Sequence, residues 1–330
     1  MIIDAHAHII PKDFPVEDGF PRMETIDHDT ARTLMFGATS FRAKDVWFDV
    51  ERRLEAMDAA GVDEEIVSPM PPLLNSTVAP VLGLSIARYV NEVVARYVRD
   101  GAGRIHGLGI VPMQDPVLAA AELGHLRDLG LRGVEVASHV NGVPIGDARF
   151  TEFFQEVDRL GISVFVHTMP RMDEVALPPS LRASIGVGLE GARGATSLLF
   201  GGMADACALD HVLFSHAAGG LPLMLARADY FWAQQPEDTR SMEPPSAVAR
   251  RFFYDSMLFD PRGLRFVVDY LGSDRVVLGT DFPAMPRPER LAETIEALGI
   301  ADDDDFENIA ARNARAFLSL DSAPLIPLSS

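Results

Sequence analysis

The stretch Met1-Ile2-Ile3-Asp4-Ala5-His6-Ala7-His8-Ile9-Ile10 decides how the chain is read. It is apolar and rich in β-branched residues, which predicts a strand over Ile2–Ile10. Alternate side chains of a strand share a face, so His6 and His8 point the same way. Two neighbouring imidazoles can be a metal pair or two polar residues on a half-wet sheet. The pair alone does not separate these readings. Seven more strand-like runs follow: Glu64–Met70, Arg104–Pro112, Gly133–Val140, Ser163–Thr168, His211–His216, Phe253–Leu258 and Val276–Asp281.

Helical patterns lie between these runs. Val50–Ala60 has Val50, Leu54 and Met57 at helical spacing, and Gly61 ends it. Leu82–Arg99, Pro116–Leu129, Arg149–Leu160, Leu181–Ala206, Leu221–Gln234, Pro261–Leu271 and Pro288–Leu298 read the same way. Pro116, Pro261 and Pro288 suit first-turn positions. Strands alternating with helices over 330 residues predict an α/β fold, a (β/α)8 TIM barrel. A doubly wound sheet is the runner-up, but no Gly-x-Gly-x-x-Gly follows the first strand. The expectation is one domain over 1–330 with a long, Pro-rich, polar insertion at 11–46, leaving the face where barrels carry their chemistry. A final helix is expected over Asp302–Leu320, with Asp302-Asp303-Asp304-Asp305 as its capping start, then a loosely held tail at 321–330.

Composition narrows the function. Apolar residues make up 48%, enough for a sizeable core. The single cysteine, Cys207, excludes an internal disulfide framework and a Cys-based zinc site. A formal net charge of −19 argues against a nucleic-acid partner. It leaves room for a small anionic substrate held by local arginines, since exposed charges are screened beyond roughly 8 Å. No run reaches membrane-spanning length and no basic-then-apolar leader opens the sequence. A soluble, cytoplasmic protein is expected.

The strand ends carry the chemistry. The first run holds His6 and His8, Ser163-Val164-Phe165-Val166 ends in His167, Val212-Leu213-Phe214-Ser215 ends in His216, and Val276-Val277-Leu278-Gly279-Thr280 ends in Asp281. One apolar run ending in His reads as a packed residue. The same placement on four strands reads as a site on the catalytic face of a barrel.

This arrangement resembles the amidohydrolase superfamily, in the amidohydrolase-2 branch typified by aminocarboxymuconate semialdehyde decarboxylase. Further similar pieces are Arg53-Leu54-Glu55-Ala56-Met57-Asp58-Ala59-Ala60-Gly61-Val62, Gly107-Leu108-Gly109-Ile110-Val111-Pro112-Met113-Gln114, His139-Val140-Asn141, Ser215-His216-Ala217-Ala218-Gly219-Gly220, Leu278-Gly279-Thr280-Asp281-Phe282-Pro283 and Asn308-Ile309-Ala310-Ala311-Arg312-Asn313-Ala314. The resemblance implies that His6, His8, His167 and Asp281 bind one divalent metal ion. Zn2+ suits these ligands, and Mn2+ or Fe2+ is compatible with them. It implies that His216 is the acid–base residue and that Asp281 also accepts a proton. Lys12 and Lys44, the only lysines, both lie in the first long loop, so there is no candidate for a bridging carboxylated lysine and the site is expected to be mononuclear.

The resemblance further implies that Arg53 and Arg227 bind substrate carboxylates by their guanidinium forks. Arg227 would reach the neighbouring subunit's site, making the protein at least a homodimer. At His167-Thr168-Met169-Pro170 the sequence departs from the branch, which has Pro and Trp after this histidine. Phe14, Phe20, Trp47 and Phe48 are candidate pocket walls instead. His139 lines the pocket or serves a turn, and His28 lies in the long loop. His106, His125 and His211 read as structural.

The leading expectation is a metal-dependent, non-oxidative decarboxylase of an unsaturated or aromatic carboxylic acid. The alternative is a metal-dependent hydrolase of an amide, ester or lactone. A non-catalytic metal-binding protein ranks third, because structural zinc sites are closed and usually use closely spaced cysteines.

Overall fold

In the computed structural model, eight parallel strands follow one another in chain order: β1 (Ile3–Ile9), β2 (Glu64–Pro69), β3 (Ile105–Ile110), β4 (Gly133–Ala137), β5 (Ser163–His167), β6 (Val212–Phe214), β7 (Phe253–Asp255) and β8 (Val276–Val277). The structure describes residues 1–25, 32–37, 39–169, 171, 178, 181–200, 202–238 and 240–322. Helices follow the strands: α1 (Val50–Ala59), α2 (Pro80–Asp100), α3 (Pro116–Asp128), α4 (Thr151–Leu160), α5 (Val187–Phe200), α6 (Leu221–Ala233) and α7 (Pro261–Leu271). This is the (β/α)8 barrel. It closes where β1 meets the residues beyond β8: Ala5 N–H donates to the Leu278 carbonyl at 2.8 Å and His8 N–H to that of Phe282 at 2.7 Å.

One side chain in two along each strand points into the barrel. Ile3, Ala5, Ile66, Leu108, Phe165, Leu213, Phe253 and Val277 fill its lower half, closed from beneath by Ala311, Ala314, Phe317 and Leu318 of the C-terminal helical segment. Two residues further along the same strand faces stand Ser68, His167, Ser215, Asp255 and Gly279. The layer changes from apolar to polar there, at the strands' C-terminal ends. In β1 the pairing with β2 slips between Asp4 and Ala7. This irregularity changes the alternation, so that Ile3 and Ala5 face inward below while His6 and His8 gather inward above.

The sequence expectations need three corrections. The 11–46 insertion contains a three-stranded antiparallel sheet, Arg22–Thr25, Arg32–Phe36 and Thr39–Ala43. Leu34 and Phe36 are buried while Thr33 before them and Met35 between them are half-buried, and Phe41 packs its ring edge-on against buried Trp47. That period-two burial is what a strand with one covered face shows; in the sequence, apolar Met35 between Leu34 and Phe36 and the surrounding Pro and charged residues mask it. Pro288–Leu298 is not a full helix: only Glu293–Glu296 is helical. Leu181–Ala206 is divided into a π-turn at Arg182–Gly186, α5, and a short helix at Met203–Ala206. The acidic run behaves as a cap, with the Asp302 carboxylate accepting from Asp304 N–H at 2.8 Å and Asp305 N–H at 3.2 Å. Residues 323–330 of the expected tail lie outside the described residues. Among the described residues, no helix is long and apolar enough to cross a membrane.

Candidate metal centre

His6, His8, His167 and Asp281 converge at the polar end of the barrel, each offering one ligand atom, all within 4.8 Å of one another. Nε2 of His6 and Nε2 of His8 are 3.1 Å apart, and Asp281 Oδ1 stands 3.1 Å from His8 Nε2 and 3.7 Å from His6 Nε2. Both ring nitrogens of His167 are buried with no hydrogen-bond partner among the described residues. Orphaned buried polar atoms are costly, and a metal ion would resolve the cost here. Three imidazoles and one carboxylate are a mixed N/O donor set that suits a first-row divalent ion. The residues fit such an ion.

The far sides of the imidazoles are held too. His6 Nδ1 is 2.6 Å from Asp255 Oδ2, and both residues are fully buried. This bond places the His6 proton on Nδ1 and leaves Nε2 free to ligate. Asp255 Oδ1 also accepts Ala217 N–H at 3.0 Å and Met257 N–H at 3.1 Å. Behind His8, Nδ1 meets Ser68 Oγ at 3.0 Å, with the buried Glu135 carboxylate 3.9 Å away. Gly279 lets these groups approach: a Cβ there would lie 2.8 Å from His6 Cβ and 2.9 Å from Asp255 Cβ.

The charges follow from burial and these contacts. Desolvation alone would lower His6, but the Asp255 hydrogen bond and the Asp281, Asp255 and Asp4 charges together raise it above the ordinary range. Burial lowers His8, and burial plus the neighbouring imidazoles holds His167 well below. Both are neutral with lone pairs available. Burial would raise Asp281, yet the His8 hydrogen bond and the imidazoles keep it lowered and anionic. Burial pushes Glu135 well up, with the Ser68 hydroxyl opposing.

His216 stands beside the cluster but outside it. Its ring centroid is 5.5 Å from that of His6 and 5.7 Å from that of His167. It is half-buried, and burial lowers it, against the pull of the Asp255 charge. It begins a left-handed turn with φ of 53° at His216, 49° at Ala217 and 53° at Ala218. Consecutive non-glycine residues in this region are sterically unfavourable and persist only where the surroundings fix them. The Asp255 bond to Ala217 N–H is one such constraint. Asp281 is also left-handed, at φ 57°.

The two arginines fall elsewhere. Arg53 is fully buried behind β1, on α1. Its guanidinium donates to the His8 carbonyl, lies 3.5 Å from Glu65 Oε2, and sits over the Phe282 ring. Arg227 is exposed on α6, with its guanidinium carbon 4.8 Å from the Phe231 ring centroid. His139 Nδ1 accepts Gly142 N–H in a local turn. His106 pairs with Glu64 and His211 with the Phe317 carbonyl, both away from the cluster. Phe14 and Phe20 line a groove between the insertion and residues 75–82, whereas Trp47 is core. His28 and Pro170 lie outside the described residues.

Sequence reasoning missed Asp255, Ser68, Glu135 and Arg287. Asp255 and Glu135 are polar residues on otherwise apolar strand runs, which is the signal that was available; Ser68 shares its run with Glu64 and Glu65 and does not stand out. Arg287, in a Pro-flanked segment, carries no such signal. It binds Asp4, and burial pulls its guanidinium down to about 10 against the Asp4 charge.

The amidohydrolase family model, described as Amidohydrolase, matches residues 3–320. The chain is 29% identical over 331 residues to 2-amino-3-carboxymuconate-6-semialdehyde decarboxylase of Dictyostelium discoideum, covering 97% of this chain and 92% of that one. Its fold is similar to that of 5-carboxyvanillate decarboxylase from Sphingomonas paucimobilis, with a TM-score of 0.80, 22% identity, and 96% and 98% of the two chains covered. It is similar again to dihydroxybenzoic acid decarboxylase from Polaromonas sp. JS666, solved with bound manganese and the inhibitor 2-nitroresorcinol (TM-score 0.74, 22% identity, 98% of each chain).

Proposed function

The chain belongs to the amidohydrolase family, and from that premise we propose that it is a metal-dependent, non-oxidative decarboxylase of an unsaturated or aromatic carboxylic acid. The observation that carries the reading is the convergence of His6, His8, His167 and Asp281, with His216 beside that cluster but not part of it. Such a site separates holding an ion from moving a proton. When bound, the ion supplies Lewis-acid polarisation of the substrate.

The rest of the chemistry falls to side chains. Losing CO2 breaks a carbon–carbon bond and leaves its electron pair on the substrate carbon, so a proton must reach that carbon. His216 is neutral near pH 7, since burial lowers it, so it can take up a proton at an imidazole nitrogen and deliver it. Asp255 holds the His216 turn and the His6 tautomer at once. Asp281 serves as ligand and as a second proton acceptor. Arg53, as it lies, acts through the His8 carbonyl. A direct bond to a substrate carboxylate requires its fork to turn out from behind β1.

Within this reading the ion is single and most compatible with Zn2+, by ligand type. Mn2+, bound in the Polaromonas decarboxylase, is the alternative. The partner is a small carboxylate, not a nucleic acid or a membrane, and the location is the cytoplasm. A homodimer or larger assembly is supported by α6, where Leu223, Met224, Tyr230 and Phe231 are all more than half exposed around Arg227. Apolar patches of this kind mark interaction surfaces.

The test incubates zinc- and manganese-loaded protein with a panel of aromatic and muconic acids and measures released CO2. Metal-dependent CO2 release supports the proposal. Product formed with consumption of water and no CO2 overturns it in favour of a hydrolase.

A further inference from the structure

We propose that Arg287 is a positioning residue that fixes Asp281 against His6 and His8 across the closing seam of the barrel. This rests on the reading of His6, His8, His167 and Asp281 as the metal ligands.

The seam is thin. β8 supplies only Val276–Val277 as regular strand. Beyond it, Asp281 N–H donates to the His6 carbonyl at 2.8 Å and His8 N–H to the Phe282 carbonyl at 2.7 Å. Asp281 holds a left-handed conformation there, which Asp adopts more readily than most residues, and the direction of its carboxylate depends on its chain neighbours. Both chain neighbours are tied to one buried charge cluster. On one side, Thr280 Oγ1 donates to Asp4 Oδ2 at 2.5 Å, and Arg287 donates to the same oxygen from Nη2 at 2.8 Å and Nε at 3.0 Å. On the other side, the Phe282 ring carries the Arg287 guanidinium at 4.0 Å and that of Arg53 at 5.1 Å.

The cluster reaches β1 as well. Asp4 Oδ1 accepts His6 N–H at 3.2 Å, inside the irregular stretch of β1. Arg287 Nη2 also lies against Glu65 Oε1, and Arg53 joins Glu65 to the His8 carbonyl. Two carboxylates and two guanidiniums therefore balance in a layer where Asp4, Glu65 and Arg53 side chains are 0% exposed and that of Arg287 is 4% exposed. Buried charges of this kind are tolerated only as a paired set. Without Arg287, Asp4 loses its guanidinium while Arg53 stays with Glu65, Thr280 and Phe282 lose their common anchor, and the Asp281 carboxylate loses its direction.

The experiment titrates Zn2+ and Mn2+ into metal-free protein against a chromophoric chelator, with far-UV circular dichroism and thermal melting as the measure of folding. The variants are Arg287→Met, Arg287→Lys, the charge-balanced pair Arg287→Met with Glu65→Gln, and Asp281→Asn as a control. Arg287→Met is expected to weaken metal binding by about 10- to 100-fold, the effect typical of lost support behind a ligand. Arg287→Lys should recover part of it, because an ammonium cannot bridge Asp4 and Glu65 as a fork does. The paired variant should melt close to wild type and still bind metal weakly, which separates positioning from folding. If the paired variant and Arg287→Lys, both folded, bind metal within twofold of wild type, the proposal is overturned and Arg287 only stabilises the barrel. If Asp281→Asn itself binds like wild type, the ligand reading has failed instead, whatever Arg287 does.

Discussion

Replacing Asp255 with Asn tests whether one carboxylate sets both the His6 tautomer and the His216 turn. Asp255 is fully buried. Its Oδ2 takes the His6 Nδ1 proton at 2.6 Å, and its Oδ1 takes two backbone N–H groups, Ala217 at 3.0 Å and Met257 at 3.1 Å. An asparagine cannot do both. If its oxygen stays with the backbone donors, its NH2 faces His6 Nδ1, and the imidazole must carry its proton on Nε2, where it blocks ligation. If the amide turns over, His6 keeps its tautomer and the His216 turn loses an acceptor. Either way a hydrogen bond to a charged group is lost, worth about 1.5–3 kcal/mol. At about 1.4 kcal/mol per decade of affinity, that is a 10- to 100-fold loss of metal affinity if His6 loses its tautomer. If the turn suffers instead, kcat at saturating metal falls while affinity holds. Chelator-competition titration, with kcat measured at saturating Zn2+ or Mn2+, distinguishes the two. A folded Asp255→Asn protein with wild-type metal affinity and wild-type kcat would refute the shared-support argument.

Three further outcomes are expected. His216→Ala should keep full metal content and lose about 10²- to 10⁴-fold in kcat, the usual worth of a positioned proton donor; metal analysis showing an empty site would make His216 a ligand. Gly219→Ala should lower stability by about 1–3 kcal/mol, because Gly219 sits at φ 59° and an added Cβ would collide with the Gly188 carbonyl; an unchanged melting temperature would contradict this. Cys207 is buried beside Met203, and desolvation pushes its thiol from 9.0 up to about 11. The folded chain therefore keeps a proton that the unfolded chain gives up, and this contribution to stability falls as pH rises through that window. Folded protein at pH 8 should react slowly with a thiol reagent and unfolded protein quickly; equal rates would count against a buried, protonated thiol.

The same arrangement explains why the mouth of the barrel is polar above an apolar base. Side chains two residues apart on each strand share the lumen. Phe165 below His167, Phe253 below Asp255 and Val277 two steps below Asp281 put a hydrophobic floor under the candidate ligands. The floor excludes water from beneath and lowers the local dielectric. That is why His8 and His167 stay neutral and why carboxylates are needed behind the imidazoles. Left-handed residues at His216 and Asp281 sit where strand must turn to loop, so side chains leave the strand direction and face the centre.

How much was legible followed from how local each signal is. The alternation of strand and helix is written in periods of 2 and about 3.6 residues, and it predicts the barrel without any long-range contact. Residues at strand ends are legible for the same reason: in a parallel barrel every strand end arrives at one face, so His6, His8, His167, His216 and Asp281 could be assembled from their positions in their runs. The insertion sheet was not legible, because apolar Met35 between Leu34 and Phe36 breaks the alternation and proline and charge surround it. What only the tertiary structure decided depends on residues far apart in sequence. The slip in β1 turns both histidines inward above Ile3 and Ala5, and no property of the nine residues of Ile2–Ile10 predicts it, because it arises from pairing with β2. The partner of His6 is 249 positions away at Asp255, and that of Asp4 is 283 away at Arg287. The place of Arg53 behind β1 follows from how α1 packs. Composition and pattern determine which residues reach the face of the barrel; long-range packing decides which nitrogen carries a proton and which charges hold the candidate ligands in place.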